Sequence, residues 1–404
     1  MATKPNAFLV IGAGPLQRYM IREAKRLGFA ALATDGDKHA VGFVDADDSC
    51  VVDTYDIPAT LAMVDAMAAS WNIRGVATCG ADVAPTVAAC AEALGLRSIP
   101  MATALLTHNK LAVRARLRDA GLDRWQPRWT AGTLGAVTFA GAQRMVGASM
   151  VVKPLSQRAS RGVSIVQTED AFRKALQKVS LYGDILLIEE QLAGTEYSAE
   201  ILLDKDRHLV HYHCCERLFD YTSGTGIEIG HINPCPYFQD ANSLLLDCAE
   251  ALGVNFGSFK IDMMLTEDGP RLLECTARCS GGFDSQVTYP LSTNVSLLSD
   301  IIAVSVTGYP FQRHKVYVDP RCYAACAAVL PRESGTIAHL PFLRDLDGAD
   351  ELLWTMHEGD AVQSTLEHCA QRPGFVIATG QTRMEAWMKA KRNADLAADL
   401  LGFA

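Results

Sequence analysis

Asp262 and Glu274 carry the most chemistry in this chain of 404 residues. They flank Thr266-Glu-Asp-Gly269, an Asp-Gly turn of the kind that closes a hairpin, within a stretch Gly257–Arg278 that reads as two strands. In a hairpin centred on that turn the two carboxylates fall nearly opposite each other, and alternation puts both on one face. Carboxylates held that close repel unless a cation neutralises them. Oxygen-only ligands suit Mg²⁺, which binds through one or two carboxylates plus substrate phosphates. Arg278 follows four residues after Glu274, where a fixed positive charge can face a transferring phosphoryl group. On this segment alone, a surface hairpin with scattered charges explains the residues equally well.

Other stretches add to the case. Val151-Val-Lys153-Pro154 sets a lysine at the end of an apolar strand, followed by the small and basic loop Ser156-Gln-Arg-Ala-Ser160-Arg161-Gly162-Val163. Backbone N–H groups and cations arranged this way can clamp a triphosphate, although no Gly-x-x-x-x-Gly-Lys-Ser/Thr loop occurs. Ile188-Glu189-Glu190-Gln-Leu192, with Glu196 beyond it, offers apolar walls and backbone groups for an adenine and a carboxylate for ribose hydroxyls. Gly12-Ala-Gly14 after an apolar run, with Asp35 downstream, invites a dinucleotide reading, but Gln17 stands where the third glycine belongs. His208, His211, His213, Cys214 and Cys215 match no zinc spacing and read as satisfied side chains on a strand.

The elements that must position these groups fall into three blocks. Apolar runs at Phe8–Ile11, Ala30–Thr34 and Gly75–Cys79 alternate with helical patterns near Leu16–Leu27, Ala59–Trp71 and Pro85–Leu94, which means an open parallel sheet ending near residue 107. A basic amphipathic helix from Asn109 to Ala120 opens an α+β block. Strands are expected there at 149–154, 163–167, 185–190, 197–203, 208–213, 256–265 and 271–274, and helices at 170–181, 241–252 and 292–307. The last block has strands at 323–330, 351–356 and 374–379 and a helix announced by Thr382-Arg-Met-Glu385, a capping-box pattern.

Composition is ordinary for folded domains, with 49% hydrophobic and 21% charged residues. A net charge of −9 gives no case for nucleic acid or an anionic membrane. No apolar run approaches the roughly 20 residues of a bilayer span. Twelve scattered cysteines, with no Cys-x-x-Cys pair and no basic-then-apolar leader, point to reduced thiols in the cytoplasm.

Taken in order, Lys110, Val-Val-Lys153-Pro, Ser160-Arg-Gly-Val163, Ile188-Glu-Glu-Gln-Leu-Ala-Gly-Thr-Glu196, Glu228-Ile-Gly-His231, Lys260-Ile-Asp262 and Glu274-Cys-Thr-Ala-Arg278 resemble the ATP-grasp superfamily. The nearest likeness is to carboxylate–amine ligases of the L-amino-acid ligase type, relatives of biotin carboxylase and carbamoyl phosphate synthase, and it covers nearly the whole chain. The resemblance implies a Rossmann-like pre-ATP-grasp domain at 1–107 and an ATP-grasp domain at 108–308. Within the latter, 108–190 would be the nucleotide lid and 191–308 the metal and catalytic part, and a C-terminal α+β domain would fill 309–404. It also implies roles. Lys110 and Lys153 would bind phosphates under the Ser160, Arg161, Gly162 loop. Glu189, Glu190 and Leu192 would hold adenine, and Glu196 the ribose. Asp262 and Glu274 would hold Mg²⁺ (or Mn²⁺), and Arg278 would stabilise the transferred phosphoryl group. Glu228 and His231 would line the acceptor pocket, and Ser280, Gly281 and Gly282 would offer N–H groups to the donor carboxylate. The activity implied is ADP-forming ligation of an amino-acid-like carboxylate to an amine through an acyl phosphate, by a homodimer. Alternatives are a carboxyphosphate-using carboxylase, a purine-pathway ligase or, from another class, an NAD-dependent oxidoreductase. A nucleotide-binding regulator without turnover is a third class. Two departures stand out. Thr276 occupies a place where the family usually has Asn, which puts a second Mg²⁺ in question, and Gln157, Arg158 and Ala159 make the phosphate loop more basic.

Overall fold

The computed structural model describes residues 3–404 apart from 156, 158–159, 222–225, 236–238 and 314. Asn6–Ile11 is the centre of a four-stranded parallel sheet, flanked by Ala30–Asp35 and Asn72–Ala77, with Asp48–Val51 at an edge. Ala7 through Ile11 are wholly buried, as a parallel strand covered by helices on both faces must be. The expected helices there run Gln17–Arg26, Ile57–Ala68 and Ala84–Ala93, and Met101–Thr107 adds one more.

A second, antiparallel sheet of four strands has the order Trp129–Thr133, Ile185–Glu190, Met150–Pro154, Ser164–Val166. Helices Phe139–Val146 and Glu169–Ser180 supply its core, where Val146, Phe172 and Val179 meet Met150, Val152 and Ile188. The third sheet has eight strands: Gly269–Thr276, Gly257–Thr266, Thr195–Leu203, Leu209–Asp220, Ile227–Asn233, Tyr323–Val329, Gly374–Gly380 and Glu351–Trp354. It therefore runs on through residue 308, because Gly230–Asn233 pairs with Ala324–Ala327.

The helix expected over 292–307 is broken. A π-helical turn at Asp284–Thr288 and a short helix Tyr289–Thr293 end at Asn294, whose φ of 63° is left-handed. Ser296 then caps a new helix, Leu297–Thr307, by accepting from the Ser299 N–H. Asn-Val-Ser is thus a stop and a start rather than a helical turn. Among the described residues no single helix is long and apolar enough to cross a membrane.

The dinucleotide reading loses its site here. The Gln17 side chain lies against Gly12, 3.0 Å from where a Cβ would stand, and its amide donates to the Cys79 carbonyl. Asp35 Oδ2 accepts from the Ala13 N–H at 2.7 Å. The donor a pyrophosphate needs and the carboxylate a ribose needs satisfy each other instead.

Candidate active site

The metal-type hairpin owes its geometry to one irregularity. From the turn outward the register pairs Thr266 with Gly269 and Met263 with Leu272. A regular ladder would next set Asp262 against Leu273. A bulge takes up Leu273, so Asp262 pairs with Glu274 and both carboxylates share a face. Arg114, on the helix Lys110–Asp119, clamps that bulge, its Nη2 donating to the carbonyls of Leu272 and Leu273, each at 2.9 Å. Its Nε donates to Glu189 Oε1 at 2.6 Å, and Arg114 and Glu189 are both 2% exposed. Burial pushes the Glu189 carboxyl up, but Arg114 and Lys153 outweigh it and hold it low. Removing one partner of a buried pair typically costs about 3–5 kcal/mol. Arg114→Met is therefore expected to lower stability by about 3 kcal/mol, the low end because Lys153 still neutralises Glu189. Urea unfolding measures it, and a change below about 1 kcal/mol would show that the clamp is not structural.

Two lysines reach the same cleft. Lys153 Nζ pairs with Glu189, and Lys110 Nζ lies 3.0 Å from Glu274 Oε1 and donates to the Gln157 carbonyl at 2.7 Å. The Glu189 side chain is thus turned into the wall, and the adenine role implied by the resemblance falls to its backbone. Glu190 pairs with Arg128 at 3.0 Å. Gln191 and Leu192 line the cleft. In the phosphate loop Ser160 and Gly162 take left-handed φ values of 63° and 74°; Arg158 and Ala159 lie outside the described residues.

Glu274 opens into the cleft with 45% of its side chain exposed. The walls around it raise its carboxyl, yet Lys110 and Lys153 hold it down at about 2. Asp262 is buried beside it, with Lys260 Nζ 2.7 Å from both of its oxygens. Two carboxylates on one face, one of them open to the cleft, form an oxygen-only donor set that fits a hard cation.

Arg217 is the residue that sequence reasoning missed and the geometry puts at the centre. Its Nη1 meets Glu196 at 2.5 Å and Asp262 at 3.2 Å, and its Nε and Nη2 fork onto Glu228 at 3.1 Å each. Arg372, from the far end of the chain, adds a contact of 3.6 Å to Glu228. Burial raises the Glu228 carboxyl, but Arg217 and Arg372 bring it to about 2. Glu196 goes the other way, to about 7, because burial outweighs Arg217 and because Asp262 and Glu228 lie near it. A second bulge, at Ile229, lets Glu228 pair with Phe219 and His231 with Arg217, so residues three apart share one face.

At the other end Arg278 donates from Nε and Nη2 to Asp82 Oδ1, at 3.0 and 2.8 Å. Asp82 follows the parallel-sheet strand Asn72–Ala77, and an isolated bridge between Cys79 and Cys279 ties the two segments. The Thr276 hydroxyl is 3.5 Å from the same Asp82 oxygen. Ser280 is corrected: its N–H and its hydroxyl both serve Glu200 at 2.9 Å, leaving neither for a substrate. Gly281 and Gly282 line the cleft. His231 Nε2 is 2.8 Å from Thr288 Oγ1, and burial lowers its imidazole. His213 Nε2 is 3.3 Å from the buried Asp284. Every expected site residue except Gly162 lines this single cleft of about 770 Å³.

Residues 108–282 match the family described as the ATP-grasp domain. The chain carries an ATP-grasp domain. The crystal structure of the L-amino acid ligase from Bacillus licheniformis is similar in fold over 98% of both chains, with a TM-score of 0.82 and 19% identity. An uncharacterised Sinorhizobium fredii protein, y4rH, is 22% identical over 83% of this chain and 70% of its own length. The formate-dependent phosphoribosylglycinamide formyltransferase of Methanocaldococcus jannaschii is 27% identical over 42% of each. The ATP-grasp match spans the clamp, both lysines, the metal-type hairpin and Arg278, and it stops short of Arg372.

Proposed function

We propose that this chain is an ATP-dependent, ADP-forming ligase that joins an amino-acid-like carboxylate to an amine through an acyl phosphate. The observation that carries the reading is the Asp262–Glu274 pair with Lys110 beside it and Arg278 across the same cleft. Lys110 and Lys153 neutralise the triphosphate, and the backbone of Glu190–Leu192 receives the adenine. Asp262 and Glu274 would hold Mg²⁺, whose charge would offset that of the phosphates. Arg278, oriented by Asp82, faces the γ-phosphoryl group as a donor carboxylate oxygen attacks it and ADP leaves. An amine then attacks the acyl carbon and phosphate departs, a far better leaving group than the original oxygen. Catalysis here is positioning and charge neutralisation.

Residues 1–107 present Asp82 in this scheme, 108–190 cover the nucleotide, 191–308 hold the metal and the reacting groups, and 309–404 back the acceptor pocket with Arg372. All twelve cysteines are free thiols, which supports a reducing, cytoplasmic compartment. A purine-pathway ligase is the second reading, favoured by the likeness to the Methanocaldococcus jannaschii enzyme. Against it, Arg217 and Arg372 are both paired with Glu228, leaving them poorly placed to receive a sugar phosphate.

The test follows one oxygen. With an ¹⁸O-labelled carboxylate, label is expected in inorganic phosphate and the nucleotide product is ADP. Label in AMP, or unlabelled phosphate beside a confirmed amide, would rule the route out.

A further inference from the structure

We propose that the cleft is built for one divalent ion rather than two, with the Lys260 ammonium and the Arg217 guanidinium holding the place of the second. The inference rests on the nucleotide-binding reading above and deepens it.

Two ions around a triphosphate need a bridging carboxylate and a separate set of oxygens on each side. Glu274 can bridge or bind alone: it opens into the cleft, and its direct ion pair among the described residues is with Lys110. Asp262 is different. Lys260 Nζ lies 2.7 Å from both of its oxygens, and Arg217 Nη1 lies 3.2 Å from Oδ2. Oδ2 faces both fixed cations, while Oδ1 faces Lys260 alone and is the side with room for a single metal.

The third outer ligand is missing as well. The Thr276 hydroxyl is turned toward Asp82, and a lone hydroxyl is a weak substitute for an amide or carboxylate oxygen. Meanwhile Glu196, Glu228 and Asp262 converge on the Arg217 guanidinium from three strands. That is how carboxylates gather around a metal, except that the cation is a side chain, and it cannot dissociate. Lys260 and Arg217 therefore supply fixed positive charge where a second ion would otherwise have to be recruited.

The experiment counts ions. Mn²⁺ is titrated into the full chain with a β,γ-imido ATP analogue, and free Mn²⁺ is read by electron paramagnetic resonance. The wild type is expected to bind one ion per chain, and Thr276→Asn alone still one. Thr276→Asn combined with Lys260→Met, folded by circular dichroism, is expected to bind a second. Two ions on the wild type would overturn the proposal. So would a folded double variant that stays at one, since Lys260 would then not be the group excluding it. If the double variant fails to fold, the wild-type count still decides. No binding of the analogue at all would overturn the function proposed above, and this inference with it.

Discussion

Glu274→Gln is expected to cut ADP formation by about 10²–10³-fold, the range for losing one charged contact to a reacting group. The amide keeps the size of the side chain and removes its charge. That charge is secure at any working pH, because Lys110 and Lys153 hold the carboxyl at about 2 against the pull of burial. Stability should hardly change, since an exposed ion pair such as Lys110–Glu274 contributes about 0–1 kcal/mol. The bulge at Leu273 is a backbone feature clamped by Arg114 and survives the substitution. A coupled ADP assay beside a thermal melt measures both quantities. Near-normal turnover in a well-folded variant would remove Glu274 from the metal site.

Arg278→Met and Lys153→Met should fail in different ways. In the proposed mechanism Arg278 faces charge that builds only during transfer, so its loss is expected to lower the single-turnover rate by about 10³-fold while ATP affinity holds within a few-fold. Lys153 is proposed to contact ground-state phosphates, and Lys153→Met should then weaken ATP binding itself. Equal losses of affinity in both, with unchanged single-turnover rates, would mean that the two roles are wrongly assigned.

The hairpin was legible because Asp-Gly marks a turn and two carboxylates at matched distances suggest pairing. Its register was not: a regular ladder from the same turn puts Glu274 on the wrong face, and only the bulge at Leu273 corrects it. The residues that hold the site together were missed for related reasons. Arg114 reads as one more cation on a basic helix, and its partners, Glu189 and the bulge carbonyls, are far away in sequence. Arg217 lies on an extension of the strand Leu209–Asp220 beyond the expected end at His213, where Cys-Cys-Glu-Arg-Leu-Phe-Asp hides the alternation. The strand Ile227–Asn233 went unseen although Glu228 and His231 sit on it, because its bulge breaks the period of two. A signal was present in Ile227-Glu-Ile, an alternation too short to stand alone.

The eight-stranded sheet limits how such proteins can be recombined. Ile227–Asn233 carries Glu228 and His231 and is hydrogen-bonded on one side to Leu209–Asp220 and on the other to Tyr323–Val329. A chimera joined after residue 308 would graft a foreign strand directly against the proposed acceptor pocket, or leave a bare edge there that invites aggregation. On that reading the tail from 309 onward is inherited with the pocket it supports, and a new specificity has to arrive by substitution within both rather than by exchange of one.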